Sequence, residues 1–191
     1  SECYVCDLMA EAQKDALSFY LGNSVMHPQT RVKVNENGFC SKHWQLLTAA
    51  NKPQGIALMT DTYLGMTRTK LEKSINSLLG SKNPRQAKKA IQAFKESMQQ
   101  REKGCLVCSS MQQRLDRYLF TTCYLWGDDQ SFREALQESK GFCMHHFQLL
   151  LETAPTVLSG SLLAKFVHDL TQTEVLNLDR IAKDVYWMTQ K

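Results

Sequence analysis

Six of the seven cysteines in this 191-residue chain fall into two copies of one pattern. Cys3 and Cys6 form Cys-x-x-Cys, followed by Gly38-Phe39-Cys40-Ser41-Lys42-His43. Cys105 and Cys108 form a second pair, followed by Gly141-Phe142-Cys143-Met144-His145-His146. Thiolate sulfurs and imidazole nitrogens at such spacing are metal-ligand chemistry. Residues three apart on a helix share a face, with β-carbons about 5–6 Å apart, so each dyad can offer two donors to one ion. Pairing the dyads within each copy predicts two cages: Cys3, Cys6, Cys40 and His43, and Cys105, Cys108, Cys143 and His146. Three sulfurs and one nitrogen suit a closed tetrahedral Zn²⁺ site. The same donors can hold an iron–sulfur cluster, and spacing alone does not separate the two. Helix N-termini beneath the dyads would favour thiolate over thiol. Zinc binding worth about 10–16 kcal/mol rivals the ~5–15 kcal/mol stability of a whole domain. Metal would then decide whether each half folds.

The elements that must carry these ligands are also written twice. Cys6 and Cys40 stand 34 positions apart, Cys108 and Cys143 35 apart, and the motifs run on as Trp44-Gln45-Leu46-Leu47 and Phe147-Gln148-Leu149-Leu150. Pro53 and Pro155 follow at similar distances. A period of about 102 residues exceeds that of solenoid repeats and reads as tandem duplication of a small domain. Met9, Ala12, Ala16 and Tyr20 recur at helical spacing. Pro53 sits at the first turn of a long helix carrying Ile56, Met59, Tyr63, Leu64, Leu71, Ile75 and Leu78. The counterpart opening after Pro155 carries Leu163, Val167, Leu170, Leu178, Ile181 and Val185. Gly22, Gly80, Gly104, Gly127 and Gly141 mark breaks, and no alternating β-branched run is long enough for a sheet. The expected fold is all-α: a tandem duplication of a metal-bearing helical hairpin plus a long helix, which could pack as one pseudo-symmetric bundle. Residues 1–80 form the first repeat, 81–104 a basic connecting helix and 105–191 the second repeat.

Other readings of the reactive residues are weaker. A redox dithiol of the thioredoxin kind needs a βαβ context that the pattern lacks. Cys123, inside Tyr118-Leu119-Phe120 … Tyr124-Leu125-Trp126, reads as core. His145 points away from His146 on a helix and reads as solvent-facing; His27 and His168 default to loop or surface. Glu174, on the apolar stripe between Leu170 and Leu178, and Asp61 could serve as general bases or ligands, but a carboxylate paired at the core edge is the commoner arrangement. No Gly-rich phosphate loop, nucleophile elbow or His-Glu-x-x-His is present.

Composition bounds the rest. At 43 % hydrophobic residues the chain can bury a core and is not of the disordered class. No apolar run approaches the ~20 residues that span a bilayer, and no charged-then-apolar leader is visible, which disfavours membrane insertion and secretion. Seven cysteines are too few for a disulfide scaffold and fit metal binding in a reducing compartment. Residues 68–103 hold ten basic and three acidic residues, so the excess charge of the chain is concentrated there. Ala87, Ile91, Phe94 and Met98 give this segment a helical stripe. Phosphate could meet its basic face, but few aromatics interleave with the lysines, and a solvated helix face is the favoured reading.

The doubled motif resembles a bacterial domain-of-unknown-function family common in anaerobes, whose pattern is Cys-x-x-Cys … Gly-Phe-Cys-x-x-His written twice, with Glu-x-x-Asn-Leu in a helical tail. The matching residues are Cys3, Cys6, Gly38, Phe39, Cys40, His43, Cys105, Cys108, Gly141, Phe142, Cys143, His146, Glu174, Asn177 and Leu178. The resemblance spans the chain and implies helical structure and a bacterial, cytoplasmic setting. It supplies no activity. Some members carry a transporter substrate-binding label, which this chain, lacking a two-lobed α/β pattern and lipid anchor, does not support. Together these observations lead to a non-catalytic, cytoplasmic protein with two zinc sites and a surface for an unidentified protein partner. A redox or metal-handling enzyme with clusters or exchangeable ions is the runner-up, and a nucleic-acid accessory protein using residues 68–103 is third. Since Cys123 stands outside both motifs, Cys123→Ser is expected to retain its full metal complement in elemental analysis.

Overall fold

The computed structural model describes residues 2–190, apart from the side chain of Gln100. The described residues form nine α-helices and one 3-10 turn, joined by short loops, with no strand among them. They are α1 (Tyr4–Leu21), the 3-10 turn Asn23–Met26, α2 (Pro28–Asn37), α3 (Ser41–Ala49), α4 (Pro53–Leu79) and α5 (Pro84–Glu102). α6 (Leu106–Asp128), α7 (Gln130–Gln137), α8 (Met144–Val157) and α9 (Gly160–Thr189) follow. The fold is all-α, as the periodicity predicts. None of these helices is long and apolar enough to cross a membrane.

Two compact units divide the chain, and they do not follow the sequence copies. One comprises residues 1–12 and 112–191, the other residues 13–111. The first Cys-x-x-Cys therefore lies in the unit that holds the second Gly-Phe-Cys-x-x-His. The basic segment 81–104 lies inside the other unit, mostly as α5.

In the first unit the core gathers Val5 of α1, Leu115, Leu119, Cys123 and Trp126 of α6, Leu136 of α7, Leu150 and Ala154 of α8, and Phe166 and Leu170 of α9. Trp126 and Phe166 meet edge to face at 5.0 Å, the arrangement favoured by ring quadrupoles. The Arg133 guanidinium covers the Trp126 ring at 4.5 Å and donates to the carbonyls of Trp126 and Gly127, satisfying orphan acceptors at the end of α6. Asp129 caps α7 by accepting from the Ser131 and Phe132 N–H groups.

The second unit packs Ala16, Tyr20, Val25, Val34, Phe39, Leu47, Met59, Cys105 and Val107. A relay of rings runs Tyr20, Phe39, Trp44, Tyr63 at centroid separations of 5.0, 5.1 and 5.3 Å. Arg101 of α5 lies over the last ring at 4.6 Å and donates to the Thr67 hydroxyl. Asn83 caps α5 by accepting the Gln86 N–H, and the Gln86 side chain reaches back to accept the N–H of Lys82, the residue before the cap.

One expectation needs correcting. Pro53 does open α4, but Pro155 lies within α8, close to its end, and the long helix begins instead at Gly160 with φ +56°. Pro155 falls within three residues of the C-terminus of α8, so it disrupts no more than the final turn. Leu158 and Ser159 then adopt extended backbone and make the break. α9 is also apolar beyond the core it serves. Its buried residues end at Asn177, and Leu178, Ile181, Val185, Trp187 and Met188 are exposed.

Removing a ring from the first core leaves a cavity that rigid helices fill poorly. Phe166→Ala is expected to lower stability by about 3–5 kcal/mol, read as a shifted urea midpoint with little change of slope.

Candidate metal centres

Eight ligand-type residues come together in two clusters, each inside one unit. Cys3, Cys6, Cys143 and His146 form one, and Cys40, His43, Cys105 and Cys108 the other; the donor atoms of each lie within 4.8 Å of one another. The grouping corrects the within-copy pairing. Each cluster takes Cys-x-x-Cys from one copy and Cys-x-x-His from the other. Cys3 and Cys6 do not share a centre with Cys40 and His43, nor do Cys105 and Cys108 with Cys143 and His146.

The same local construction supplies all four dyads. Each leading cysteine directly precedes a helix: Cys3 before α1, Cys40 before α3, Cys105 before α6 and Cys143 before α8. Its carbonyl accepts the first helical bond, from Asp7, Trp44, Ser109 and Phe147 respectively. Cys40 and Cys143 cap with nearly identical backbones, φ −71° and −72°. The second ligand of each dyad stands one turn on. Each cage is thus two helix N-termini brought together, with four donors on their first turns.

In the first cage, His146 Nδ1 lies 3.5, 3.4 and 3.3 Å from the sulfurs of Cys3, Cys6 and Cys143, and Cys6 and Cys143 sulfurs are 3.7 Å apart. In the second, His43 Nδ1 lies 3.2, 3.3 and 3.3 Å from Cys40, Cys105 and Cys108, and Cys40 and Cys108 sulfurs are 3.9 Å apart. None of the seven cysteines is joined in a disulfide. Cys3, Cys105 and both histidines are buried, while Cys6 and Cys108 form the exposed edge. Even there, lost hydration and the neighbouring thiols push Cys6 and Cys108 up to about 12. Burial opposes ionisation of Cys40 too, but the His43 and Lys42 N–H groups and the Cys105 and Cys108 thiols outweigh it and lower its pKa. Burial, with Lys42 and His145 alongside, lowers the pKa of His43 and His146 and keeps these imidazoles neutral, with a lone pair to give. Crowded thiols that resist ionising together, beside neutral imidazoles, are a donor set that a divalent cation would complete.

The loops ahead of Cys40 and Cys143 are held by glycine. Gly38 (φ +63°) and Gly141 (φ +78°) adopt left-handed conformations that L side chains rarely take. A Cβ on Gly38 would lie 2.6 Å from Tyr63, and one on Gly141 2.8 Å from Glu174 Oε2. Phe39 and Phe142, next in line, are buried in their respective cores. Gly104 lets the Asn37 carbonyl approach: a Cβ there would stand 2.4 Å from that oxygen. The Gly38 carbonyl accepts from Leu106 N–H at 3.1 Å, docking the start of α6 against the loop that carries Cys40. Behind His43, the Gln13 amide lies 3.1 Å from Nε2; a ring that coordinates through Nδ1 carries its proton on Nε2, and the amide holds that tautomer when it turns its oxygen to accept the proton.

Glu174 takes a positioning role rather than a base's. Buried at 3 % exposure, it accepts the Phe142 N–H at 2.9 Å and roofs Gly141. Asn177, one turn on, accepts from Arg180, which also pairs with Glu2 beside Cys3. Asp61, His27, His145 and His168 are exposed, and Cys123 is fully buried among apolar neighbours. The contribution of Gln13 was not legible beforehand, because a lone glutamine at a mid-helix position carries no signal.

A family model described as a family of unknown function, DUF6062, matches residues 1–191. The chain belongs to DUF6062. No curated protein and no solved structure matches it.

Removing the Glu174 carboxylate strands the Phe142 N–H and loosens the loop that aims Cys143. In DUF6062 protein carrying Glu174→Ala, stability is expected to fall by about 1–3 kcal/mol. Metal affinity at the first cage should weaken about 10–100-fold, with the second unchanged, as read by competition with a chromogenic chelator.

Proposed function

We propose that this DUF6062 protein is a two-zinc, non-catalytic helical scaffold working in the cytoplasm. The observation that carries the reading is the spacing of the donors. Zinc bonds of about 2.3 Å to sulfur and 2.0–2.1 Å to nitrogen give tetrahedral edges of about 3.8 Å between sulfurs and about 3.6 Å between sulfur and nitrogen. The separations of 3.7–3.9 Å and 3.2–3.5 Å fall near those edges. An iron–sulfur cluster divides its protein ligands among two or more irons, which spreads some sulfurs beyond one coordination sphere, so these spacings favour a single ion. Four protein ligands leave no open position for substrate or activated water, the pattern of a structural site. Seven cysteines with no disulfide among them suit a reducing compartment. The exposed apolar end of α9, with Leu178, Ile181, Val185 and Met188 at i, i+3, i+7 and i+10, supports a protein-interaction role.

Elemental analysis of anaerobically purified protein should give two zinc per chain and a colourless spectrum. Iron with broad absorbance near ~400 nm, or no metal, would overturn the reading. The exchanged ligand grouping makes a sharper forecast. Cys3→Ser combined with Cys143→Ser should cost one equivalent of metal, because both act on one cage, whereas Cys3→Ser with Cys40→Ser should cost two. Pairing within copies demands two in the first case and one in the second.

Acid should empty the cages. Binding displaces protons from thiols held as high as about 12 and uses neutral imidazoles, so lowering pH favours the metal-free form. Metal content followed by equilibrium dialysis is expected to be full at pH 8 and to decline as pH falls below the unperturbed histidine range of about 6.5.

A further inference from the structure

Apart from Arg101, the cations of residues 68–103 are exposed on the second unit. Among the described residues, none of this segment's ten cations (Arg68, Lys70, Lys73, Lys82, Arg85, Lys88, Lys89, Lys95, Arg101, Lys103) joins an ion pair. Only Arg101 is turned inward, over Tyr63. On α5 the others are ordered. Arg85, Lys88, Lys89, Gln92, Lys95, Glu96 and Gln99 fall, at 100° per residue, on one arc of about 120°, and all seven are exposed. The single acid on the arc, Glu96, is bonded to Gln92 at 2.8 Å. The opposite face, with Ala90 buried and Ala87, Phe94 and Met98 half-buried, packs within the unit. Arg85 to Lys95 spans ten residues, about 15 Å of helix.

We infer that this face of α5 is a nucleic-acid-binding surface that grips the phosphate backbone. A row of four unpaired cations separated by amide side chains offers charge and hydrogen-bond donors to regularly spaced phosphates. A lipid surface is a poorer match, because a helix lying on a bilayer needs a free apolar face to bury, and on α5 Ala87, Ala90, Phe94 and Met98 are turned into the unit, leaving Ile91 as its one exposed large apolar residue. Recognition through cations and amides alone carries no base readout, so binding is expected to be insensitive to sequence. The inference stands apart from the metal reading, since none of these residues is a ligand.

Fluorescence anisotropy on the metal-loaded full chain tests it, with a random-sequence duplex DNA and a single-stranded RNA of about 30 nucleotides as probes. Binding to one or both at 50 mM salt is expected, falling at least tenfold by 200 mM, with a log–log salt slope of about −3 or steeper for four contacts. Arg85→Glu/Lys88→Glu/Lys89→Glu should weaken it by about tenfold or more and flatten that slope. The milder Lys88→Gln/Lys95→Gln should act in the same direction, with melting curve and metal content unchanged. Charge reversal at the exposed Lys165 and Lys183 of α9 should leave affinity within about twofold. Absence of binding to both probes at 50 mM salt would overturn the inference. So would affinity indifferent to the α5 substitutions, equal losses from the α9 control, or binding to phosphatidylserine vesicles but to neither nucleic acid.

Discussion

Two helix N-termini aimed at one small volume repel each other, and each unit of this protein is organised around such a meeting. Every N-terminus carries unpaired N–H groups and roughly half a positive charge. In unit one the meeting is between α1 and α8, and in unit two between α3 and α6. Sulfur at the capping position and on the first turn sets thiolate charge against those ends, and Cys105 Sγ accepts the Cys108 N–H at 3.4 Å. With zinc bound as proposed, three thiolates and a dication leave a single net negative charge, close to what two helix ends contribute in the opposite sense. Neither the helix ends nor the thiolates are comfortable alone. Together with an ion they are nearly neutral, which explains why the ligands sit at helix starts rather than in mid-helix.

That arrangement makes demands on the chain just before each cap. The backbone must turn sharply into the helix while dropping an aromatic ring into the core, and Gly38-Phe39 and Gly141-Phe142 do so with matching left-handed glycines. The copies then diverge in what braces the turn. Gly38 lies under the Tyr63 ring, part of an aromatic relay ending at Arg101, whereas Gly141 lies under the Glu174 carboxylate, which bonds the Phe142 N–H. One brace is aromatic and cationic, the other a buried carboxyl group bonded to backbone. Glu-x-x-Asn-Leu in α9 therefore has a physical use: Glu174 and Asn177 roof the second loop, and Asn177 holds the arginine that reaches Glu2.

The sequence disclosed the helical class, the eight clustered residues and the burial of Cys123, because each rests on spacing or composition alone. The grouping of the dyads was not legible, and the reason lies in the duplication. Two identical Cys-x-x-Cys pairs and two identical Cys-x-x-His pairs satisfy ligand counting equally well in either combination, and both put three sulfurs and one nitrogen on each ion. What decides between them is long-range, such as the Leu106 N–H reaching the Gly38 carbonyl and Gly104 yielding to Asn37, contacts that have no period to read. Pro155 misled for a local reason. Proline marks a helix start and tolerates a last turn, and only the extended Leu158 and Ser159 show which applies.

The exchanged grouping costs little in equilibrium terms and more in time. Joining Cys6 to Cys143 closes a loop of 137 residues, and joining Cys40 to Cys108 one of 68, against 34 and 35 for the cysteines within a copy. Loop closure grows by about 0.6 kcal/mol for each doubling of length, so the longer loop adds only about 1 kcal/mol, small beside the ~10–16 kcal/mol of a structural zinc site. The order of assembly changes more. Unit two is a continuous stretch, residues 13–111, with both its dyads available once Cys108 has been made. Unit one needs its first twelve residues to wait for α8 and α9, and its opening thiols have no partners in the meantime. Long-range contacts of this kind slow folding because the chain must close before the contact rewards it. A unit that completes early can hold its own ion while Cys3 and Cys6 remain unpaired, so the two sites, alike in donors, differ in when they can fill.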